Sequence, residues 1–158
     1  KQTLSLDVKE IKNNKSYNPK KEKVLETSAL KPLIGFLNGE GGTLLIGVSD
    51  TKVAVGINEE LEKLHHSPDP YKSLDKFTVY FTNLITQRIS KSALANYMDI
   101  TMPKHKNGAT VVRIEVKKSS VGPEFLKPGD HFYVRFTAST LELTGQDLIK
   151  YCKEHWPD

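Results

Sequence analysis

Cysteine is almost missing from this chain. A single thiol, Cys152, among 158 residues excludes an internal disulfide framework and a Cys-based zinc site, and it suits a reducing compartment; we read Cys152 as a packing residue. Long apolar runs are also missing: nothing approaches the roughly 18 residues that a membrane span requires, and the N-terminus lacks the basic, apolar, small-residue order of a signal peptide. These absences lead us to expect an intracellular protein, cytoplasmic or nuclear, with no membrane partner. The phosphate-cradling pattern Gly-x-x-x-x-Gly-Lys-Ser/Thr occurs nowhere, so we discount ATP binding and read the pair Gly41-Gly42 as a tight connection between a helix and a strand. Internal repeats and low-complexity linkers are absent as well. Lys1 stands where Met would, an opening expected of a piece of a longer protein.

What is present fits one globular domain. A content of 37% hydrophobic and 27% charged residues is too apolar for a disordered chain, and a chain of 158 residues can bury a core. Net charge is +4, unevenly placed. Residues 1–23 hold seven lysines against Asp7, Glu10 and Glu22, while 103–118 hold Lys104, Lys106, Arg113, Lys117 and Lys118 against Glu115 alone. Each stretch nets +4 and the remainder −4, so the positive charge lies in two places that can converge on a polyanion.

Apolar spacing gives the elements. Leu4, Leu6 and Val8 alternate as in a half-buried strand, and a lysine-rich loop runs from Asn13 to Lys21. Leu30, Leu33, Ile34 and Leu37 recur at helical spacing ahead of Gly39-Glu40-Gly41-Gly42; Pro32 implies a start near Ser28 or a kink. Thr43 to Val48 is continuously apolar, which predicts a central strand covered on both faces, with Val53 to Ile57 returning as its hairpin partner. Asn58 to Leu64 suits a short helix, and Ser73 to Ile89 a long one presenting Leu74, Phe77, Phe81, Leu84 and Ile85. Leu94 to Met102 and Ala109 to Val116 read as strands joined through an Asn107-Gly108 hairpin turn. Phe125-Leu126 reads as a brief strand and His131 to Phe136 as another, and Thr144 with Asp147 approximates the capping box of a last helix reaching about Glu154. The expected fold is a single mixed α+β domain over 1–158, with about three helices packing a mixed sheet of five or six strands.

Several residues invite functional readings. Asn38 caps its helix or reaches a ligand, with capping the simpler account. His65-His66 point in different directions and have no partner at metal-binding spacing, so we take them as loop residues. Arg135, mid-strand among aromatics, is either a structural ion pair or a phosphate clamp. Phe132 and Tyr133 have rings able to stack on bases, although neighbours on a strand face opposite ways, which assigns at least one of them to the core.

Three segments together resemble the Schlafen AlbA-like domain family, once labelled a divergent AAA domain. The run from Leu33 to Asp50, with Phe36-Leu37-Asn38, Gly41-Gly42, Gly47-Val48-Ser49-Asp50 and then Gly56-Ile57, is similar to the family's helix, Phe-x-Asn, Gly-Gly, apolar strand, Gly-Val-x-Asp and Gly-Ile order. Lys9-Glu10-Ile11-Lys12 is similar to its Glu-Phe-Lys element. Tyr133-Val134-Arg135 with Ser139-Thr140 and Leu143 resembles its ending. The resemblance implies a nucleic-acid-binding fold whose domains pair side by side, and some members are metal-dependent endoribonucleases acting on structured RNA such as tRNA.

Of the three acids those nucleases use, Glu10 and Asp50 match the second glutamate and the aspartate, while Ser5 stands where the first glutamate is expected. Glu10 and Asp50 are thus the catalytic and metal-ligating candidates, for Mg²⁺ or Mn²⁺, since oxygen ligands suit these ions and the bound metal activates water. The family's Gly before Ser-Thr is replaced by Thr137-Ala138. The sequence reading is therefore a nucleic-acid-binding domain, DNA or RNA, that contacts phosphates through Lys9, Lys12, Lys15, Lys20, Lys21, Lys104, Lys106 and Arg135. Its alternatives are a metal-dependent endoribonuclease and a dimerisation domain of a larger protein, with a second copy or a related domain as partner.

Overall fold

A helix without a polar face must be covered on every side, and Lys31–Asn38 is the clearest case in this chain. In the computed structural model, which describes residues 26–47, 70–104 and 106–157, its Leu33, Ile34, Phe36 and Leu37 are wholly buried. The described elements run α1 (Lys31–Asn38), β1 (Gly42–Ile46), α2 (Pro70–Arg88), α3 (Lys91–Tyr97), β2 (Met98–Thr101), β3 (Val112–Val116), β4 (Phe132–Phe136), β5 (Ser139–Leu143) and α4 (Gly145–His155). A π-helical turn, Glu26–Leu30, leads into α1, and Pro32 falls in the first turn of α1, where its missing N–H leaves no bond unmade.

Two antiparallel sheets flank this helix, which contacts β1 and β3 of one and β4 and β5 of the other. The first has the order β1-β3-β2, with Leu44 opposite Ile114 and Ile100 opposite Ile114 from the other side. The second is the β4–β5 hairpin, in which Val134 faces Leu141. The mixed α+β class and the five strands agree with the sequence reading, but the described strands divide between two sheets where one mixed sheet was expected. The reason is α1: buried all round, it needs a sheet on more than one side.

Burial along β1 alternates where the continuous apolar run predicts cover on both faces: Leu44 and Ile46 are buried while Thr43 and Leu45 are half-buried. Among the described strands, β1 pairs with β3. A second correction concerns residues 94–97, expected in a strand and found in α3. Ser90 caps this helix, its Oγ accepting from the Ala93 N–H at 3.0 Å, and the strand begins only at Met98. The last helix forms where expected, yet Thr144 makes no side-chain cap bond. The N-terminal strand and loop, the 53–57 hairpin partner, the 58–64 helix and His65-His66 lie outside the described residues.

Along α2, Phe77, Phe81, Leu84 and Ile85 recur every three to four residues and are all buried in the main core, with the Phe77 and Phe81 rings stacked 5.7 Å apart. The β4–β5 hairpin carries a core on each face. Phe132 and Val134 join Tyr151 of α4, with Phe125, Leu148 and Trp156 packed around them, while Tyr133 points the other way into the main core beside α1. In the turn, Thr137 takes φ +46, a left-handed conformation that glycine adopts without strain.

At the end of α1, Gly41 has φ +76 and donates its N–H to the Phe36 carbonyl at 2.9 Å. A Cβ there would lie 2.5 Å from the Val116 carbonyl oxygen. We expect Gly41→Ala to cost about 2 kcal/mol or more, from the positive φ together with a backbone clash. A urea melt with a midpoint unchanged from the parent would refute this.

Candidate nucleic-acid interface

The β2–β3 connection places two of the candidate lysines together. Lys104 bridges Thr110 across the hairpin, Gly108 turns the chain at φ +87, and the Asn107 side-chain oxygen accepts from the Ala109 N–H at 2.9 Å. The Asn-Gly step therefore does what its chemistry predicts. Lys104 and Lys106 both stand exposed on this hairpin, and neither is ion-paired among the described residues. Lys117, just beyond β3, is exposed too, whereas Arg113 is engaged by Glu115 two residues along the strand. Both members of that pair lie on the face of the first sheet turned away from the core.

Arg135 belongs to the other sheet and to a different environment. It is half-buried, its guanidinium 6.0 Å from the Phe36 ring centroid and Nη1 donating to Thr140 Oγ1 at 3.2 Å, and burial lowers its pKa from the ordinary value. Its backbone faces α1 closely: a Cβ on Gly35 would sit 3.2 Å from the Arg135 nitrogen. Phe132 and Tyr133 are both buried, which removes both from base stacking. Lys31 lies over the Tyr133 ring, its Nζ 5.4 Å from the centroid. Of the remaining candidates, Lys9, Glu10, Lys12, Lys15, Lys20, Lys21 and Asp50 lie outside the described residues. Among the described residues, no group of three or more His, Cys, Asp or Glu is placed to hold a metal ion.

The side chain of Asn38 turns away from the end of α1 toward distant backbone groups. Fully buried, Asn38 donates from Nδ2 to the carbonyls of Glu124 and Tyr133, both at 2.9 Å, and accepts from the Glu124 N–H at 2.8 Å. Its own carbonyl accepts from the Tyr151 hydroxyl. The side-chain amide thus ties α1 to β4 and to the 124 segment, and the backbone carbonyl ties it to α4, a role that spacing in the sequence cannot show because the amide's partners lie 86 and 95 residues away.

Burial, with the charges of Glu40 and Cys152 adding to it, pushes the Tyr151 phenol up to about 12 from 10.0. An acid whose folded pKa is raised keeps its proton in the native state after the unfolded chain has lost it. Its contribution is therefore complete below pH 10 and disappears between 10 and about 12. We expect an ultraviolet phenolate titration to show a late step near pH 12 that Tyr151→Phe removes. Survival of that step in the variant would show that another tyrosine produces it. Cys152 packs beside Tyr151, and burial raises its thiol pKa, as suits a packing residue.

These features define a mixed α+β domain that buries Phe132 and Tyr133 and presents exposed lysines on a β-hairpin. The chain belongs to the Schlafen AlbA_2 family, whose model, described as "Schlafen, AlbA_2", matches residues 5–144. No curated protein matches it. Among solved structures it is similar to the DIP2311 protein of Corynebacterium diphtheriae, with a TM-score of 0.53 and 13% identity. That match covers 98% of this chain and 28% of the other, so it speaks to the fold alone. Among the described residues, no helix is long and apolar enough to cross a membrane.

Proposed function

We propose that this domain binds nucleic acid, DNA or RNA, through phosphate contacts from its lysine-rich segments. The observation that carries this reading is the β2–β3 hairpin, which holds Lys104 and Lys106 exposed and without an ionic partner among the described residues. Membership of a family associated with nucleic-acid binding supports it. Lys9, Lys12, Lys15, Lys20 and Lys21 supply the second basic segment. Arg135, held against Phe36 and Thr140, positions the hairpin of the second sheet and is a lesser contact.

Such contacts carry no base identity and release counterions, so the logarithm of affinity falls with the logarithm of salt by about 0.9 per phosphate on duplex DNA. Binding of tRNA, single-stranded DNA and duplex DNA, followed by fluorescence anisotropy over a salt series, tests the reading. Salt-steep binding of at least one of them is expected. Absence of binding, or affinity indifferent to salt, would overturn it. A domain of this size also offers one half of a symmetric clamp, and the proposal includes pairing with a second copy or a related domain, which a mass measurement at high concentration checks.

A further inference from the structure

Beside the junction of α2 and α3 lies a cavity of about 280 Å³, open to solvent and lined by Ile89, Pro123 and Phe125 on its apolar side and by Glu124, Lys127 and Asp130 on its polar side. Glu124 is half-buried, and its Oε2 accepts from the Ser90 hydroxyl at 3.2 Å. That hydroxyl is itself fixed, because it accepts the Ala93 N–H as the cap of α3. The carboxylate is thus oriented. Its other oxygen has no hydrogen-bond partner among the described residues. That oxygen is left to accept from a donor in the cavity that Glu124 lines. Burial raises the Glu124 pKa, with the Ser90 hydrogen bond and the Lys127 charge opposing the rise.

Two carboxylates against one ammonium make the lining unsuited to phosphate, and three apolar walls would strip water from a bare cation. Three apolar residues beside an oriented carboxylate suit a neutral ring that carries an N–H₂ donor on its edge. Cytosine and adenine have this form, and glutamate accepts from the cytosine amino group by simple geometry. Lys127, exposed, lines the same cavity. We infer that this cavity receives one unpaired, amino-bearing nucleobase of a bound strand, with Glu124 accepting from its exocyclic amine and Ser90 holding the carboxylate in position. The inference rests on the nucleic-acid reading above and adds to it a base preference that phosphate contacts cannot give.

Single-stranded deoxyoligomers of adenine, cytosine and thymine, equal in length, are titrated against the whole chain and against Glu124→Ala and Glu124→Gln. Adenine and cytosine oligomers are expected to bind about tenfold tighter than thymine, which lacks the amine. Glu124→Ala should bring them to the thymine level, while Glu124→Gln, whose amide oxygen still accepts, should keep part of the preference. Lys104→Glu with Lys106→Glu should weaken all three alike and preserve their ratio. Equal binding of the three oligomers by the parent chain, or a preference that survives Glu124→Ala, would overturn the inference. If no oligomer binds, the phosphate reading fails by itself, and cytidine, adenosine and thymidine are then titrated while the Ser90 and Phe125 amide signals are followed by NMR. Shifts with cytidine and adenosine but not thymidine sustain the pocket. No shift, or the same shift with butylammonium, removes it.

Discussion

Asn38→Ala is expected to destabilise this domain by about 3 to 5 kcal/mol, a large share of the roughly 5–15 kcal/mol that holds a typical domain folded. The alanine leaves the Glu124 N–H and two carbonyls without the partner they have in the parent chain, beside a side chain that is fully buried. Asn38→Asp separates the contributions. It keeps an acceptor for Glu124 but offers the two carbonyls a carboxyl in place of an amide, so ionisation sets like partial charges together. Its folded pKa should rise above the unfolded value of about 3.9, and stability should fall as pH climbs through and beyond that value. Urea unfolding at several pH values measures both variants. A loss below about 1 kcal/mol in the alanine variant would mean that water or a shifted backbone replaces the amide, and that Asn38 is not the tie described here.

Reversing Lys104 and Lys106 together is the second large change we expect. If both contact phosphate, Lys104→Glu with Lys106→Glu should make the salt slope shallower by about 1.8 on duplex DNA and weaken binding at low salt on the order of tenfold. The loss should be similar for every sequence, because the hairpin presents charge and no buried aromatic. Both side chains are exposed, so the melting temperature should stay close to that of the parent. A loss confined to one sequence would assign these lysines to base readout instead, and an unchanged slope would move the interface elsewhere on the molecule.

The elements written into local pattern were legible in advance. Leu33, Ile34 and Leu37, and Phe77, Phe81, Leu84 and Ile85, repeat at the helical period and are buried as that period requires. Asn107-Gly108 turns where it should, and Ser139 to Leu143, read only as part of a motif, pairs with β4 as its second strand. Helix α3 was missed because Leu94 to Met102 reads as one strand, whereas its first four residues continue a helix that Ser90 caps, with Oγ accepting from the Ala93 N–H.

The sequence by itself determined the mixed α+β class, the family to which the chain belongs, and a net positive charge gathered in two segments, because each of these is a property of residue type and short spacing. Tertiary structure decided the division into two sheets around α1, the burial of both Phe132 and Tyr133, the place of Arg135 against Phe36, and the oriented carboxylate of Glu124. All of these depend on contacts between residues distant along the chain. Asn38 shows why such contacts are silent in sequence: an asparagine between a leucine and a glycine looks like a helix end, and only the arrival of Glu124 and Tyr133, brought by packing, turns its amide into the link between α1 and β4.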